Sequence, residues 1–382
     1  MRRTGFVLLL VGLLGLSIGV WADQLTVWQL ADDAFPGDMS WQDDGLYLGV
    51  STPDGMARFN PTTGALDVWE TYRAVGDFVF AAPRIFFALP YEHQLGWFRP
   101  DVGFLSFLDM PNPTAWPAFV LDGRDRPEDV NIWYLDWNSG HVGLFSPIES
   151  GPADLRDIPV ITFWPWERSA DVTPESTDIV PTHYPRGADF APDTFVLEPI
   201  VNDPFTEWPL LSPDDPAYGF TRDAFGRIWI SAGQDKPLYA LNPANNEVTT
   251  YELPGLPFIA ALATAADDGL AYEGSDRHVW FLAKPDEMSV ELGLLDISTG
   301  DVTTWAVPLA VGATALRVLD DEIWFCDDHW SAIYRFTPET ATFTWWATGG
   351  DDAPRDLELG ANGEMWITFD RSGGIARLVV DD

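Results

Sequence analysis

Seven short apolar segments with an aromatic residue at their centre recur along the chain. They are Leu46-Tyr47-Leu48, Ile85-Phe86-Phe87, Ile132-Trp133-Tyr134, Ile228-Trp229-Ile230, Val279-Trp280-Phe281, Ile323-Trp324-Phe325 and Met365-Trp366-Ile367. Asp, Gly, Asn and Pro residues separate them, and no helical period competes with the pattern. We call each segment strand b, and its continuous apolar character predicts a strand that is buried on both faces.

Two further segments follow strand b at regular spacing. Strand c ends in Pro or Asp, as in Leu241-Asn242-Pro243, and strand d carries an aromatic residue, as in Val302-Thr303-Thr304-Trp305. In five units the aromatic residue of b stands 14 residues before the end of c, for example Trp229 before Pro243. This regularity predicts one antiparallel meander per unit. Meanders repeated around a ring are typical of a β-propeller, so we predict an all-β propeller fold.

The final unit contains no segment with the pattern of strand d. Residues 356–380 contain a first strand a, then b and c, whereas the d pattern occurs near the N-terminus. There, residues 25–30 (Leu-Thr-Val-Trp-Gln-Leu) resemble residues 302–307 (Val-Thr-Thr-Trp-Ala-Val). We therefore expect the N-terminal strand to complete the last blade and close the ring, which removes two exposed sheet edges.

The number of blades depends on the long interval between Trp133 and Trp229, which is about twice the usual repeat. It contains the d-like segment Ile161-Thr162-Phe163-Trp164 and the c-like segment Phe195-Val196-Leu197-Glu198-Pro199. Counting back from Pro199 puts a further strand b near His183-Tyr184-Pro185. The spacing favours eight blades, and seven blades with a long insertion is the alternative.

The N-terminus has the pattern of an export signal. Met1-Arg2-Arg3 is positively charged, an apolar run extends from Phe6 to Trp21, and Val20-Trp21-Ala22 resembles a cleavage site. We predict a signal peptide over 1–22 and a single propeller domain over 23–382, exported to the periplasm or the extracellular space. The apolar run is shorter than the roughly 20 residues of a transmembrane helix, so no membrane span is expected after signal removal.

The net charge of the chain makes two classes of partner unfavourable. The chain has 59 acidic and 21 basic residues and a net charge of −38. Such a surface repels nucleic acids and anionic lipids, so neither is expected as a partner. A single cysteine, Cys326, excludes an intramolecular disulfide, and its apolar surroundings predict a buried, inert thiol.

The b–c connections carry acidic residues and histidines, and the meander brings these connections to one end of the ring. The ligand-binding candidates among them are Glu92, His93, Asp136, His141, Asp235, Asp328 and Asp370. A ring of carboxylates is suited to a basic ligand or to a divalent cation such as Ca²⁺ or Mg²⁺. Asp is also a favoured turn residue, so the same pattern is compatible with a purely structural role. Further binding candidates are the tryptophans outside the repeat positions, namely Trp41, Trp97, Trp116, Trp137 and Trp330.

The blades resemble those of the virginiamycin B lyase (streptogramin lyase) family of propellers, and the likeness covers most of the mature chain. The segments that carry the resemblance include Gly363-Glu364-Met365-Trp366-Ile367-Thr368 and Glu322-Ile323-Trp324-Phe325. The resemblance implies metal-assisted elimination that opens a cyclic depsipeptide, with a Pro-His-Gly-like step and a glutamate. Here Ala353-Pro354-Arg355-Asp356 has arginine in place of the family's histidine, and Asp327 matches the glutamate position. Because arginine is not a base at neutral pH, we expect a lyase-like shape without lyase chemistry.

Two functional hypotheses follow. The favoured one is a non-catalytic exported propeller that binds a small-molecule or protein ligand through its acidic b–c face. The alternative is a metal-dependent lyase or hydrolase that uses Asp327, His329 and Arg355 around a divalent cation.

Overall fold

The computed structural model describes residues 23–380, with gaps at 31–35, 43–44, 52–53, 72, 82–83, 123–130, 147–159, 164–165, 173–174, 179–181, 185–191, 203–204, 214, 265–276, 320–321 and 350–351. The predicted signal peptide, 1–22, lies outside the described residues. The described part contains a 3-10 helix at Pro90–Glu92 and strands that form seven antiparallel sheets. No helix in this part has the length and apolar character that crossing a membrane requires.

The strands, in chain order, are β1 (Asp23–Gln29), β2 (Pro36–Gln42), β3 (Gly45–Ser51), β4 (Asp54–Asn60), β5 (Ala65–Glu70), β6 (Phe78–Ala81), β7 (Arg84–Leu89), β8 (Gln94–Arg99), β9 (Phe104–Asp109), β10 (Pro117–Asp122), β11 (Ile132–Asp136), β12 (His141–Phe145), β13 (Val160–Phe163), β14 (Trp166–Val172), β15 (Glu175–Asp178), β16 (Thr182–Tyr184), β17 (Asp193–Val196), β18 (Ile200–Asn202), β19 (Phe205–Pro209), β20 (Ala217–Arg222), β21 (Ile228–Ala232), β22 (Leu238–Asn242), β23 (Glu247–Tyr251), β24 (Ile259–Ala263), β25 (His278–Asp286), β26 (Ser289–Asp296), β27 (Val302–Ala306), β28 (Ala313–Leu319), β29 (Glu322–Asp327), β30 (Ala332–Thr337), β31 (Thr342–Ala347), β32 (Pro354–Leu359), β33 (Met365–Phe369) and β34 (Gly374–Val379).

Each sheet is one blade built on a four-stranded meander. Blade 1 contains β2–β5, blade 2 β6–β9, blade 3 β10–β12 and β19, blade 4 β20–β23, blade 5 β24–β27, blade 6 β28–β31, and blade 7 β32–β34 with β1. The first strands of neighbouring blades contact one another all the way round, including β2 of blade 1 with β32 of blade 7. These strands therefore form the inner ring, and the predicted β-propeller fold is confirmed.

The hydrophobic core lies between neighbouring blades. The second strand of a blade is buried along its whole length in β11, β21 and β33, as the apolar runs of strand b predict. Tryptophan rings fill the space between two sheets. Between the last blade and the first, Trp366 stacks on Trp28 with ring centroids 5.5 Å apart, and Phe59 contacts both rings. Cys326 is fully buried, as predicted, and burial raises the pKa of its thiol.

The described residues form seven blades, so the favoured prediction of eight blades is wrong and the alternative of seven with a long insertion is confirmed. The segment near His183 forms β16, which pairs with β27 of blade 5 and starts no blade of its own. Ile161 and Phe195 belong to β13 and β17, which pair with β5 and β23. An added outer strand has the same alternating composition as a blade strand, so sequence spacing does not reveal which sheet it joins.

The insertion adds a fifth, outermost strand to six blades. From β13 to β18 its strands pair in turn with blades 1, 7, 6, 5, 4 and 3, always antiparallel to the outer strand of the meander. We call these six strands the belt, because they follow the circumference of the ring. Among the described residues, blade 2 has its four meander strands only.

The N-terminal strand β1 lies between β34 and the belt strand β14 in blade 7. Trp28 is opposite Ile375, and Leu25 is opposite Leu378. Just after the strand, Leu30 N–H donates to the carbonyl of Gly373 at 3.1 Å. The first and last described segments therefore share one sheet.

Candidate functional site

The first strands of six blades carry a β-bulge near the end of the sheet where the b–c and d–a connections lie. In each case the register between the first and second strands shifts by one or more residues close to the start of the first strand. A bulge breaks the ladder locally and redirects a side chain, and bulges are frequent beside active sites. At this end of the inner ring, the bulged residues therefore determine which side chains surround the central channel.

Three of the six bulged positions are alanine. Ala118, Ala260 and Ala315 leave space, whereas Tyr218 and Arg355 provide large polar side chains on blades 4 and 7. In blade 1 the shift includes Asp38. Charged residues at the bulged positions are therefore concentrated where blades 7 and 1 meet.

Four carboxylates and two guanidinium groups converge at this junction. We call this set the inner cluster; it consists of Asp38, Asp77, Arg317, Arg355, Asp356 and Asp370. Arg355 Nε lies 3.9 Å from Asp38 Oδ1, and its Nη1 lies 3.5 Å from Asp370 Oδ1. Its side chain is 47% exposed, so it is accessible to solvent. Arg355 and Asp370 are both candidates from the sequence, and the structure brings them together.

Next to Arg355 in the sequence, Asp356 forms an ion pair whose partners join the inner strands of three blades. Arg317 Nη2 donates to Asp356 Oδ1 at 2.7 Å, and the other oxygen of Asp356 accepts the backbone N–H of Met39 at 2.9 Å. Asp356 is almost fully buried. Charge-assisted hydrogen bonds of this kind are shorter and stronger than those between neutral groups. The pair gives the inner cluster a rigid base that joins β28, β32 and β2.

The pKa of the Asp38 carboxyl group is raised. Burial raises its pKa from 3.8 to about 6, and the nearby charge of Asp356 adds to the increase. Arg355 and Arg317 act in the opposite direction, as does a side-chain hydrogen bond with Asp77. In turn, Asp38 is the main reason that the pKa of Arg355 is raised. Two carboxyl groups in contact, one with a raised pKa, are typical of a functional site, although structural clusters also show this feature.

Asp327 and Asp136 occupy equivalent positions at the ends of strands b and hold loops in place. Asp327 accepts the backbone N–H groups of Val311, Gly312, His329 and Trp330 at 2.6–3.1 Å. Asp136 accepts Trp116 N–H and Asn138 N–H, and also bonds the side chains of Asn112 and Ser139. Both residues are fully buried. Their oxygens are occupied by hydrogen bonds that join a b–c turn to the d–a connection of its own blade.

The three candidate histidines lie in three different blades and do not share a pocket. His93 follows the 3-10 helix, with φ of 58°, and its Nδ1 lies 2.5 Å from the carbonyl oxygen of Ala115. His141 Nδ1 lies 3.4 Å from Glu207, a buried residue that also accepts the hydroxyl of Tyr134 at 2.8 Å. His329 is exposed and packs edge-on against Trp330.

The remaining candidates are also dispersed. Glu92 lies at the end of the 3-10 helix, and Asp235 is an exposed turn residue with φ of 58°. Asp328 is half-buried above Gly312, where any side chain would collide with its carboxylate. Burial and the charge of Asp327 raise the pKa of Asp328, while Arg371 and Lys284 counteract the increase.

The donor set does not fit the divalent cation that the sequence suggested. Within the described ranges, no three His, Cys, Asp or Glu side chains are arranged to hold a metal ion. Asp327 is committed to backbone N–H groups, and the carboxylates of the inner cluster are interleaved with Arg317 and Arg355. The guanidinium groups thus already provide the positive charge in this cluster.

Comparison with known proteins identifies the fold at low sequence identity. Virginiamycin B lyase from Staphylococcus aureus superposes with a TM-score of 0.63 at 13% identity, over 94% of this chain and 99% of that chain. A streptogramin B lyase structure gives 0.63 at 14% identity, over 94% and 98%. YCF48 bound to D1 peptide gives 0.58 at 11% identity, over 94% and 97%.

The chain is similar in fold to virginiamycin B lyase. The resemblance noted in the sequence is therefore confirmed for the architecture. No protein-family model matches the chain, and no curated protein matches its sequence.

Sequence reasoning missed Asp38, Asp77, Arg317 and Asp356. A signal for two of them was present, because Pro36-Gly37-Asp38-Met39 and Pro354-Arg355-Asp356-Leu357 share a Pro-x-Asp step at the start of the first strand. The contact between them depends on blades 7 and 1 being neighbours, which is a property of the ring and not of either segment.

Proposed function

We propose that this chain is an exported, non-catalytic β-propeller that binds a small-molecule or protein ligand through the end of the ring that carries the b–c connections. The observation that carries the proposal is the environment of Arg355. A bulge removes it from the ladder of β32, and carboxylates of Asp38 and Asp370 flank its half-exposed side chain. This arrangement presents paired positive and negative groups to the channel.

The chemistry of Arg355 favours binding over catalysis. The resemblance to the lyases implies a histidine at this step, and a neutral histidine accepts a proton whereas arginine remains charged. Asp38 raises the pKa of Arg355 further. The group can therefore donate hydrogen bonds to a carbonyl or carboxylate of a ligand, but it does not take up a proton at neutral pH.

We propose a peptide-like ligand with an amine and a carbonyl or carboxylate group. Asp370 is exposed and suits the amine, while Arg355 suits the acceptor. Exposed Trp137 and Trp330 on the b–c turns of blades 3 and 6 add apolar contact area. Among proteins of similar fold, a catalytically inactive virginiamycin B lyase was solved with quinupristin, and YCF48 with D1 peptide.

The proposal includes export and ring closure. The pattern of residues 1–22 supports export to the periplasm or the extracellular space. The pairing of β1 with β34 supports closure of the ring by the N-terminal strand, since a strand shared between the two ends of a propeller resists their separation.

Quinupristin and short peptide amides are the probes for a test by isothermal titration calorimetry and chromatography. We expect at least one probe to bind, and Arg355→Ala to weaken its binding by about tenfold or more, because a charge-assisted hydrogen bond contributes about 1.5–3 kcal/mol. Arg99→Ala, which alters the c–d turn of blade 2, is the matched control. Quinupristin should be recovered intact. Ring opening would contradict the non-catalytic assignment, and equal binding by the Arg355→Ala variant would exclude this site.

A further inference from the structure

A strip of exposed apolar side chains lies on the belt over blades 4 and 3. It runs through β17 and β18, and the exposed fractions of its large residues are 40% for Phe195, 69% for Val196, 48% for Ile200 and 72% for Val201. Large apolar residues scattered singly on a surface are ordinary, but four within seven consecutive positions expose an unusual amount of apolar surface along one edge of the protein. We call residues 193–201 the apolar strip.

Both strands of the apolar strip are the outermost strands of their sheets. β17 pairs on one side with β23, and β18 pairs on one side with β19. Between them, Leu197 N–H donates to the carbonyl of Asn246 at 2.9 Å, which holds the turn against blade 4. The other edge of each strand presents backbone donors and acceptors that suit an added strand.

The apolar strip and its neighbours in sequence carry acidic side chains and no basic ones. Residues 187–221 contain no Lys, Arg or His. Asp193 and Glu198 are exposed within the strip itself. A second copy of a chain with net charge −38 would be repelled here, whereas cationic groups would be attracted.

We propose that the apolar strip is a docking surface for an extended segment of a partner protein in which basic and apolar residues alternate. The apolar side chains of that segment cover Val196 and Val201, its basic side chains approach Asp193 and Glu198, and its backbone extends a sheet at β17 or β18. This surface is on the circumference and is separate from the inner cluster, so the proposal is independent of the ligand site at the channel.

A synthetic peptide of about ten residues with alternating lysine and valine is the probe, since strands of this length are common. Fluorescence anisotropy measures its affinity for the full chain and for the double variant Val196→Thr/Val201→Thr. Threonine keeps the β-branched shape and replaces one methyl group by a hydroxyl at each site, so we expect binding about tenfold weaker. Val102→Thr, at a 60% exposed valine in blade 2, is the control and should bind as the unchanged chain does.

Two companion measurements separate strand docking from general attraction to an acidic surface. A peptide of the same charge with two central prolines cannot extend a sheet, so it should not compete with the probe. Hydrogen exchange should slow at 193–202 when the probe binds. The proposal is overturned if the probe fails to bind, if the double variant or the proline peptide binds as tightly, or if sedimentation shows a dimer that the double variant abolishes.

Discussion

The substitution Asp38→Asn should change the pH dependence of the free energy of unfolding, because it removes the carboxyl group whose pKa is raised by burial in the inner cluster. The folded pKa of Asp38 is about 6, against an ordinary value of 3.8. As pH rises through this interval, the unfolded chain loses its proton first and binds fewer protons than the folded chain. The free energy of unfolding therefore falls between about pH 4 and pH 6 and levels off above the folded pKa.

The size of the change in unfolding free energy follows from the shift in the pKa of Asp38. Roughly two pKa units correspond to about 3 kcal/mol, as an upper estimate for a side chain that is 27% exposed. Asparagine does not ionise, so the stability of Asp38→Asn relative to the unchanged chain should rise by up to that amount between pH 4 and pH 7. Any constant difference from altered hydrogen bonding cancels in this comparison.

Urea unfolding followed by tryptophan fluorescence, repeated from pH 4 to pH 7.5, measures this difference. Asp101→Asn is the control, because a hydrogen bond from Arg99 lowers the pKa of Asp101 and its contribution is lost only below about pH 4. The free energy of unfolding of Asp101→Asn should therefore vary with pH in parallel with that of the unchanged chain between pH 4 and pH 7.5. Parallel curves for Asp38→Asn would refute the raised pKa. A relative loss of stability with rising pH would mean that Arg355 outweighs burial.

Three further substitutions, one of them with a matched control, test structural roles by equilibrium unfolding. Asp327→Ala should lower the free energy of unfolding by about 3 kcal/mol or more, because several backbone N–H groups lose their acceptor. The control, Asp370→Ala on the exposed surface, should change it by less than about 0.5 kcal/mol. Equal effects would contradict the structural role of Asp327. Tyr134→Phe should cost about 1–3 kcal/mol, since buried Glu207 loses a hydroxyl donor, and an unchanged midpoint would show that this bond contributes nothing. Trp28→Ala should cost about 3–5 kcal/mol if β1 closes the ring, and a cost below about 1 kcal/mol would argue against that closure.

Local sequence patterns were sufficient for the strands and for the type of fold. The apolar runs of strand b, the prolines that end strand c and the aromatic residue of strand d are determined by burial and by turn geometry within each unit. These are short-range requirements, so they remain visible in the sequence. The match between residues 25–30 and 302–307 likewise anticipated the pairing partner of the last blade, with Trp28 opposite Ile375.

The belt and the inner cluster depended on long-range contacts. A segment such as Phe195-Val196 has the composition of any strand, and only the assembled ring supplies β23 as its partner. Asp38 and Arg355 are more than 300 residues apart, and they meet because the first and last blades are neighbours. Asp327 matched a catalytic position in sequence, yet backbone N–H groups of two loops surround its carboxylate. The sequence alone therefore determined which segments become strands, because that depends on local burial. The tertiary structure decided which charges meet, because solvation and neighbouring charge exist only once the ring has formed.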